Sequence, residues 1–158
     1  MQVIELTKDH HDWARELLAS HMGSPAVALR GRLYDPLAHP GFVALAKGLK
    51  RGLLTYVPGD SWWEILTLHA TSQWQGTGSA LIEAMAAAAR RKGIRWLRVT
   101  TTNDNVDALR FYQKRQFRLV DLRTGAVDRS RALKPEIPST GAYGIPIRDE
   151  LELERELA

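Results

Sequence analysis

The stretch Gln73-Trp74-Gln75-Gly76-Thr77-Gly78-Ser79 constrains this chain more than any other. It follows an apolar, β-rich run, Trp62 to Ala70, and opens an alanine-rich segment, Ser79 to Lys92. In that segment Leu81, Ile82, Met85, Ala86 and Ala89 share one helical face. It closes on Arg90-Arg91-Lys92-Gly93, cations at the negative end of a helix followed by a glycine stop. Trp96 to Thr102 is β-rich again. Strand, helix and strand in this order close most simply as a parallel βαβ unit, because parallel strands need a long crossover. A glycine-rich turn opening the helix also leaves backbone N–H groups unpaired at its positive end. That arrangement binds phosphate.

The flanking chain reads as follows. Gln2 to Leu6 is a short strand, and Thr7 caps a helix that carries Trp13, Leu17 and Leu18 and ends near Ser20 to Gly23. Ser24 to Pro40, broken by Pro25, Pro36 and Pro40, is a loop with at most one helical turn or a brief strand. Phe42 to Ala46 and Leu53 to Val57 form a hairpin around Lys47 to Gly52, and Pro58-Gly59-Asp60 turns into Trp62 to Ala70, completing a meander. Asn105 caps a helix through about Arg115, and Phe117 to Leu122 is a strand. Arg123 to Asp149 is an irregular Pro- and Gly-rich loop, long enough to suggest a functional role. Glu150 to Leu157 suits either a closing strand or a helix.

Composition narrows the function classes. The 158 residues suit a single domain, 1–158, and no apolar run approaches the ~20 residues of a membrane span. The chain has no cysteine, which excludes disulfides, thiolate metal sites and a cysteine nucleophile, and is compatible with the cytoplasm. His10 and His11 are adjacent and point apart on a helix, so they make a poor metal pair. A net charge of +4 and a pI near 9.6 favour anionic ligands. The basic residues are not gathered into a block, so nucleic acid is not expected as a partner.

Two nucleotide motifs fail. A dinucleotide fingerprint needs glycine where Leu81 stands, and a Walker loop needs lysine where Ser79 stands. Gln73-x-x-Gly76-x-Gly78 between strand and helix instead resembles the acetyl-coenzyme A loop of the GNAT superfamily of N-acetyltransferases. Asn105-x-x-Ala108-x-x-x-Tyr112-x-x-x-x-Phe117 resembles that superfamily's second motif, with Gln116 where glycine is usual. The element order matches over nearly the whole chain.

The resemblance implies an α/β GNAT fold: a mixed central sheet whose fourth and fifth strands splay apart, with helices on both faces. It implies acetyl-CoA as cosubstrate, no metal, and a small-molecule or peptide amine as acceptor; dimers are common in the superfamily, so a homodimer is compatible. Leu68 and Ala70 would pair with the pantetheine arm. Gln73, Gln75, Gly76, Thr77, Gly78 and Ser79 would surround the pyrophosphate. Asn105 and Tyr112 would lie near the arm and sulfur.

Acetyl transfer to an amine needs a neutral nucleophile, oxyanion stabilisation and a proton for the departing thiolate. The resemblance gives Tyr112 as the general acid and the Leu68 N–H as the oxyanion donor. Glu64 is the candidate base, expected by alternation to share a face with Trp62, Leu66 and Leu68; an edge glutamate that merely solvates is the alternative. His69 then falls on the other face as a structural histidine. Trp62, Trp63 and Trp74 are candidates for the walls of a substrate pocket, and Arg129, Arg131 and Lys134 for an anion site, against plain packing and solvation. Two rival readings remain: an acyl-CoA-binding module without turnover, and a basic nucleic-acid binder.

Overall fold

The computed structural model describes residues 1–71 and 76–157. In chain order the elements are β1 (Gln2–Glu5), α1 (His11–Met22), β2 (Val27–Leu29), β3 (Arg32–Tyr34), β4 (Gly41–Ala46), β5 (Leu49–Pro58), β6 (Trp62–Ala70), α2 (Thr77–Arg91), β7 (Trp96–Thr102), α3 (Val106–Lys114), β8 (Arg118–Arg123), α4 (Ala126–Leu133) and β9 (Glu150–Glu156). Seven strands form one mixed sheet, ordered β1-β4-β5-β6-β7-β9-β8, and β2 and β3 form a separate hairpin. The α/β fold expected from the sequence is the one observed. Among the described residues no helix is long and apolar enough to cross a membrane.

Strand periodicity assigns the two faces. Leu54 and Tyr56 of β5 point to the side where Leu81, Ile82 and Met85 of α2 and Tyr112 of α3 pack. Val43 of β4 and Leu53 of β5 point to the other, against Ala14, Leu17 and Leu18 of α1. Alternate residues of one strand therefore seat helices on opposite faces.

Among the described residues β6 and β7 are the only parallel pair, and they run together from Trp62↔Trp96 to Ile65↔Val99. Beyond that point β6 stays paired with β5 as far as Ala70↔Gly52, and β7 with β9 as far as Thr102↔Glu150. Leu66–Ala70 and Thr100–Thr102 thus diverge, leaving a wedge between them. This is the expected splay of the fourth and fifth main-sheet strands.

Several expectations are corrected. The segment from Ser24 to Pro40 does contain one helical turn, Pro36–Ala38, but it also holds the β2–β3 hairpin, and a second hairpin joins β4 to β5 through Lys47-Gly48 alone. Both turns place two consecutive residues at positive φ, Arg30 (52°) with Gly31 (71°) and Lys47 (51°) with Gly48 (75°). That is the two-residue turn whose twist matches antiparallel strands. Strand β5 accordingly begins at Leu49, inside the stretch read as loop. The long region from Arg123 to Asp149 contains α4, whose Ala126, Val127 and Ser130 are buried. Residues 150–157 resolve as strand β9, ending at Glu156.

The most consequential correction is a bulge in β6. Thr55 pairs with Thr67 and Tyr56 with Ile65, so Leu66 is an extra residue. Alternation reverses across it. Glu64 consequently shares a face with Thr67 and His69, on the α1 side, and Leu68 packs against the α2 side. The expected common face of Glu64 with Leu68, and the opposite placement of His69, do not hold.

Candidate active site

The wedge between β6 and β7 opens into a cleft of about 710 Å³ lined by Leu68, His69, Ala70, Gly76–Ser79 and by residues of α3 and its two caps, Asn105 and Arg115. This volume is that of a small-molecule or cofactor site. Each lining element is placed for a local reason.

On β6 the backbone is the functional surface. The Thr71 N–H donates to the Arg51 carbonyl at 2.8 Å, which sets the phase of the β5–β6 ladder. Antiparallel residues alternate between bonding their partner strand and pointing away. By that alternation Thr67 and His69 bond to β5, and the N–H and C=O groups of Leu68 and Ala70 point into the wedge.

The helix start is built by two glycines with different tasks. Gly76 caps α2 at φ 75°, a left-handed conformation that glycine adopts without strain. A Cβ on Gly78 would lie 2.8 Å from the Phe111 ring, so glycine lets α2 and α3 approach. Thr77 is buried and its Oγ1 has no hydrogen-bond partner among the described residues. Gln73 and Gln75, also expected at the phosphates, and Trp74 lie outside the described residues.

Helix α3 supplies the opposite wall. The Asn105 side chain accepts the Ala108 N–H at 3.2 Å, the cap the sequence indicated. Tyr112 is 6% exposed, set edge-on between Phe111 and Phe117, and burial raises its hydroxyl above the ordinary tyrosine value. It therefore stays protonated at neutral pH. Gln116, in the usual glycine position, takes φ 72° regardless, a conformation that costs a non-glycine residue about 1 kcal/mol.

Sequence reasoning missed the cations of this wall. Arg110, Lys114 and Arg115 all line the cleft. Arg115 Nε donates to Ser79 Oγ at 2.7 Å, and its guanidinium lies 3.7 Å from the Phe111 ring centroid. A cation at the positive end of α2 is unfavourable alone, and an anion seated between them relieves both. The signal was present, since these residues flank Tyr112 within the second motif. The basic residues singled out instead are elsewhere. Arg131 donates to Asp128 and to the carbonyls of Ile137, Pro138 and Ile147, and Lys134 Nζ donates to the Ala26 carbonyl. Those two hold the α4 region together, Arg129 is an exposed side chain of α4, and the cleft includes none of the three. Trp63 stacks on Tyr56 at 4.6 Å in the core, and Trp62 lies under Arg98.

A second polar assembly occupies the α1 face. Glu64, Glu150 and Glu152 are 2%, 3% and 9% exposed. Arg30, in the β2–β3 turn, bridges Glu64 (Nη1–Oε1 2.5 Å) and Glu152. Arg123 joins Glu150 to Glu152, and Arg98 joins Glu152 to Glu154. Burial opposes the charge of Arg30, but hydrogen bonds to Glu64 and Glu152 outweigh it and raise its pKa. Burial likewise opposes ionisation of Glu152, and the three arginines nevertheless hold it below the usual carboxylate range. Glu64 Oε2 is buried with no hydrogen-bond partner among the described residues. Beside this layer, His69 stacks on His21 of α1 at 4.7 Å between ring centroids. Burial, then the neighbouring His21, lowers His69 to about 4, so its imidazole is neutral at physiological pH.

Fold and cleft together define an acyltransferase architecture, and the family model described as the acetyltransferase (GNAT) family matches residues 8–117. The chain belongs to that family. It is 37% identical over 158 residues to the Bacillus subtilis protein YxbD, covering 99% of both chains. Among solved structures it superposes on an IAA acetyltransferase from Bacillus cereus with a TM-score of 0.76 at 22% identity, covering 99% of this chain and 100% of that one. A GNAT family acetyltransferase from Elizabethkingia anophelis, solved with acetyl-CoA bound, gives a TM-score of 0.70 at 21% identity, covering 99% and 97%.

Proposed function

We propose that residues 1–158 act as one GNAT domain that moves acetyl from acetyl-CoA to a primary amine by direct attack. One observation carries this reading: the wedge, with the peptide groups of Leu68 and Ala70 turned into it, opens onto a helix N-terminus ringed by cations. A pantetheine arm bonds to those peptide groups as a strand would, and the pyrophosphate meets the N–H groups of residues 76–79 and Arg115. The acetyl-CoA in the Elizabethkingia neighbour supports the donor's identity.

In the reaction the amine attacks the thioester carbonyl and the Leu68 N–H stabilises the oxyanion. Collapse breaks the C–S bond, and Tyr112, kept protonated by burial, gives its proton to the thiolate. Glu64 is the first candidate for the base, acting through Oε2, which has no hydrogen-bond partner among the described residues. His69 is the second. It is neutral and lines the cleft directly, whereas Glu64 is held by Arg30.

The testing experiment is release of CoA thiol from acetyl-CoA with a panel of primary amines. Amine-dependent release supports the reading. Saturable acetyl-CoA binding with no release from any amine would favour a non-catalytic acyl-CoA-binding module. In an active enzyme, Glu64→Gln shifts the pH–rate profile to higher pH if Glu64 is the base, and an unchanged profile passes the role to His69.

A further inference from the structure

The turn from Ala142 to Ile145 is strained in a way that its own packing does not explain. The Ile145 N–H donates to the Ala142 carbonyl at 3.0 Å, and Tyr143 (φ 58°, ψ 21°) and Gly144 (φ 73°) fill the two central places. Both stand in the left-handed region, where glycine is at ease and a tyrosine is destabilised by about 1 kcal/mol. The tyrosine buries little in return. It is 72% exposed, the most open large hydrophobic side chain among the described residues.

The turn is nevertheless fixed in place. The buried Asp104 carboxylate accepts the Ala142 N–H at 3.0 Å, and a Cβ on Gly141 would lie 2.1 Å from Asp104 Oδ2. Asn103 Nδ2 donates to the Pro146 carbonyl at 2.9 Å. Asn103 and Asp104 lead into α3, so the turn is carried on the start of that helix. From there the Tyr143 hydroxyl donates to the Asp107 carboxylate at 2.9 Å. Asp107 is the one carboxylate among the described residues that line the cleft, and Arg110 and Lys114 follow it along one row of α3. Asp107 and Lys114 stand about 10 Å apart on that row. One end is cationic, and the other is acidic and carries an exposed aromatic ring.

We propose that Tyr143 and Asp107 hold the adenine base of acetyl-CoA, which stacks on the tyrosine ring and donates its exocyclic amino group to the carboxylate. The inference rests on acetyl-CoA being the donor. A carboxylate repels phosphate, so the acidic end of the row does not suit the diphosphate that residues 76–79 and Arg115 receive. The amides of the pantetheine arm already have partners in Leu68 and Ala70. The acceptor amine belongs to the α1 face of the sheet, where the candidate bases Glu64 and His69 lie, whereas α3 packs on the opposite face. Beyond the sugar and its phosphate, the donor offers a flat aromatic base with an amino group on its edge. An exposed ring beside a carboxylate matches both features. Asp107 keeps room for that bond, since a carboxylate accepts about four hydrogen bonds and its other neighbour, Arg110, is 3.5 Å away.

Calorimetric titration with acetyl-CoA and with acetyl-phosphopantetheine, which lacks the nucleoside, separates a base platform from a merely structural turn. Tyr143→Ala is expected to weaken acetyl-CoA about 10-fold, within what one base–aromatic stack supplies, and to leave the affinity of the truncated donor unchanged. Tyr143→Trp keeps an aromatic face and should bind acetyl-CoA nearly as the native chain does. The native chain should also prefer acetyl-CoA to its hypoxanthine analogue, in which a carbonyl oxygen replaces the amino group, and Asp107→Asn should erase that preference. Tyr143→Ala binding acetyl-CoA as tightly as the native chain overturns the inference. So does an equal loss for both donors, a tryptophan variant as weak as the alanine one, or a native chain indifferent to the amino group. Saturable acetyl-CoA binding that ignores Tyr143 contradicts this inference alone, whereas a native chain that binds neither donor contradicts the proposed function itself.

Discussion

The two sides of the splayed strand β6 use polar groups in opposite ways. On the cleft side the peptide groups of Leu68 and Ala70, the first turn of α2 and the cations of α3 all face an open volume. On the α1 side three buried glutamates and three arginines are largely consumed by one another. The first side is prepared for a ligand. The second is already a closed ionic layer that ties the β2–β3 turn to β6 and β9, in which Glu64 Oε2 has no hydrogen-bond partner among the described residues. A carboxylate on the right strand is therefore a weak indication of a base until its partners are known.

Substitutions on each side can break this contrast. The largest effect belongs to the closed layer. Arg30→Ala leaves Glu64 and Glu152 without their shared cation, and stability should fall by about 3 kcal/mol in urea unfolding, the low end for a buried pair because Arg30 is partly exposed. A loss under 1 kcal/mol would mean the layer is not a structural unit. On the cleft side, Tyr112→Phe should lower kcat about 100-fold and leave acetyl-CoA affinity nearly unchanged. Equal turnover would remove Tyr112 from the chemistry.

His69 sits between the two sides, and its sign is fixed by burial. Its folded value of about 4 lies below the ordinary 6.5, so the unfolded chain binds a proton first as pH falls. The stability is present above about pH 6.5 and drains away towards pH 4, about 2 kcal/mol of it by pH 5. His69→Gln should flatten that limb of a stability–pH curve. A smaller effect is expected at the mouth of the cleft: Arg115→Ala should weaken acetyl-CoA about 10-fold by calorimetry, comparable to one charge-assisted hydrogen bond. Arg131→Ala should leave affinity alone and lower the melting temperature.

The same contrast explains what the sequence made legible. Helix α2 announces itself because Leu81, Ile82, Met85, Ala86 and Ala89 repeat over about two and a half turns and its C-terminal end carries a stop signal. The cleft was readable for a related reason, since the left-handed cap at Gly76 and the close approach of α2 to Phe111 at Gly78 both call for glycine and leave a Gly-x-Gly pattern in the sequence. Helix α4 was hidden because it has only eight residues, starts at Gly125 with φ 72° and is set among prolines and glycines. Leu66 gives no sign of a bulge, since every residue from Trp62 to Leu68 suits a strand; one extra residue reversed the faces of Glu64 and Leu68. The turn that carries Arg30 had half a signal, since Gly31 suits the second place of a two-residue hairpin turn but arginine is not a residue that usually opens one. Its glutamate partners could not be read, because Glu64 and Glu152 are 34 and 122 residues away.

The central claim is that the peptide groups of Leu68 and Ala70 are reserved for acetyl-CoA. Residue-resolved amide hydrogen exchange along β6, with and without the cofactor, tests it directly. In the free protein Leu68 and Ala70 should exchange faster than Thr67 and His69, and acetyl-CoA should slow the first pair selectively. Equal protection of all four amides, or no change on saturation with acetyl-CoA, would contradict it.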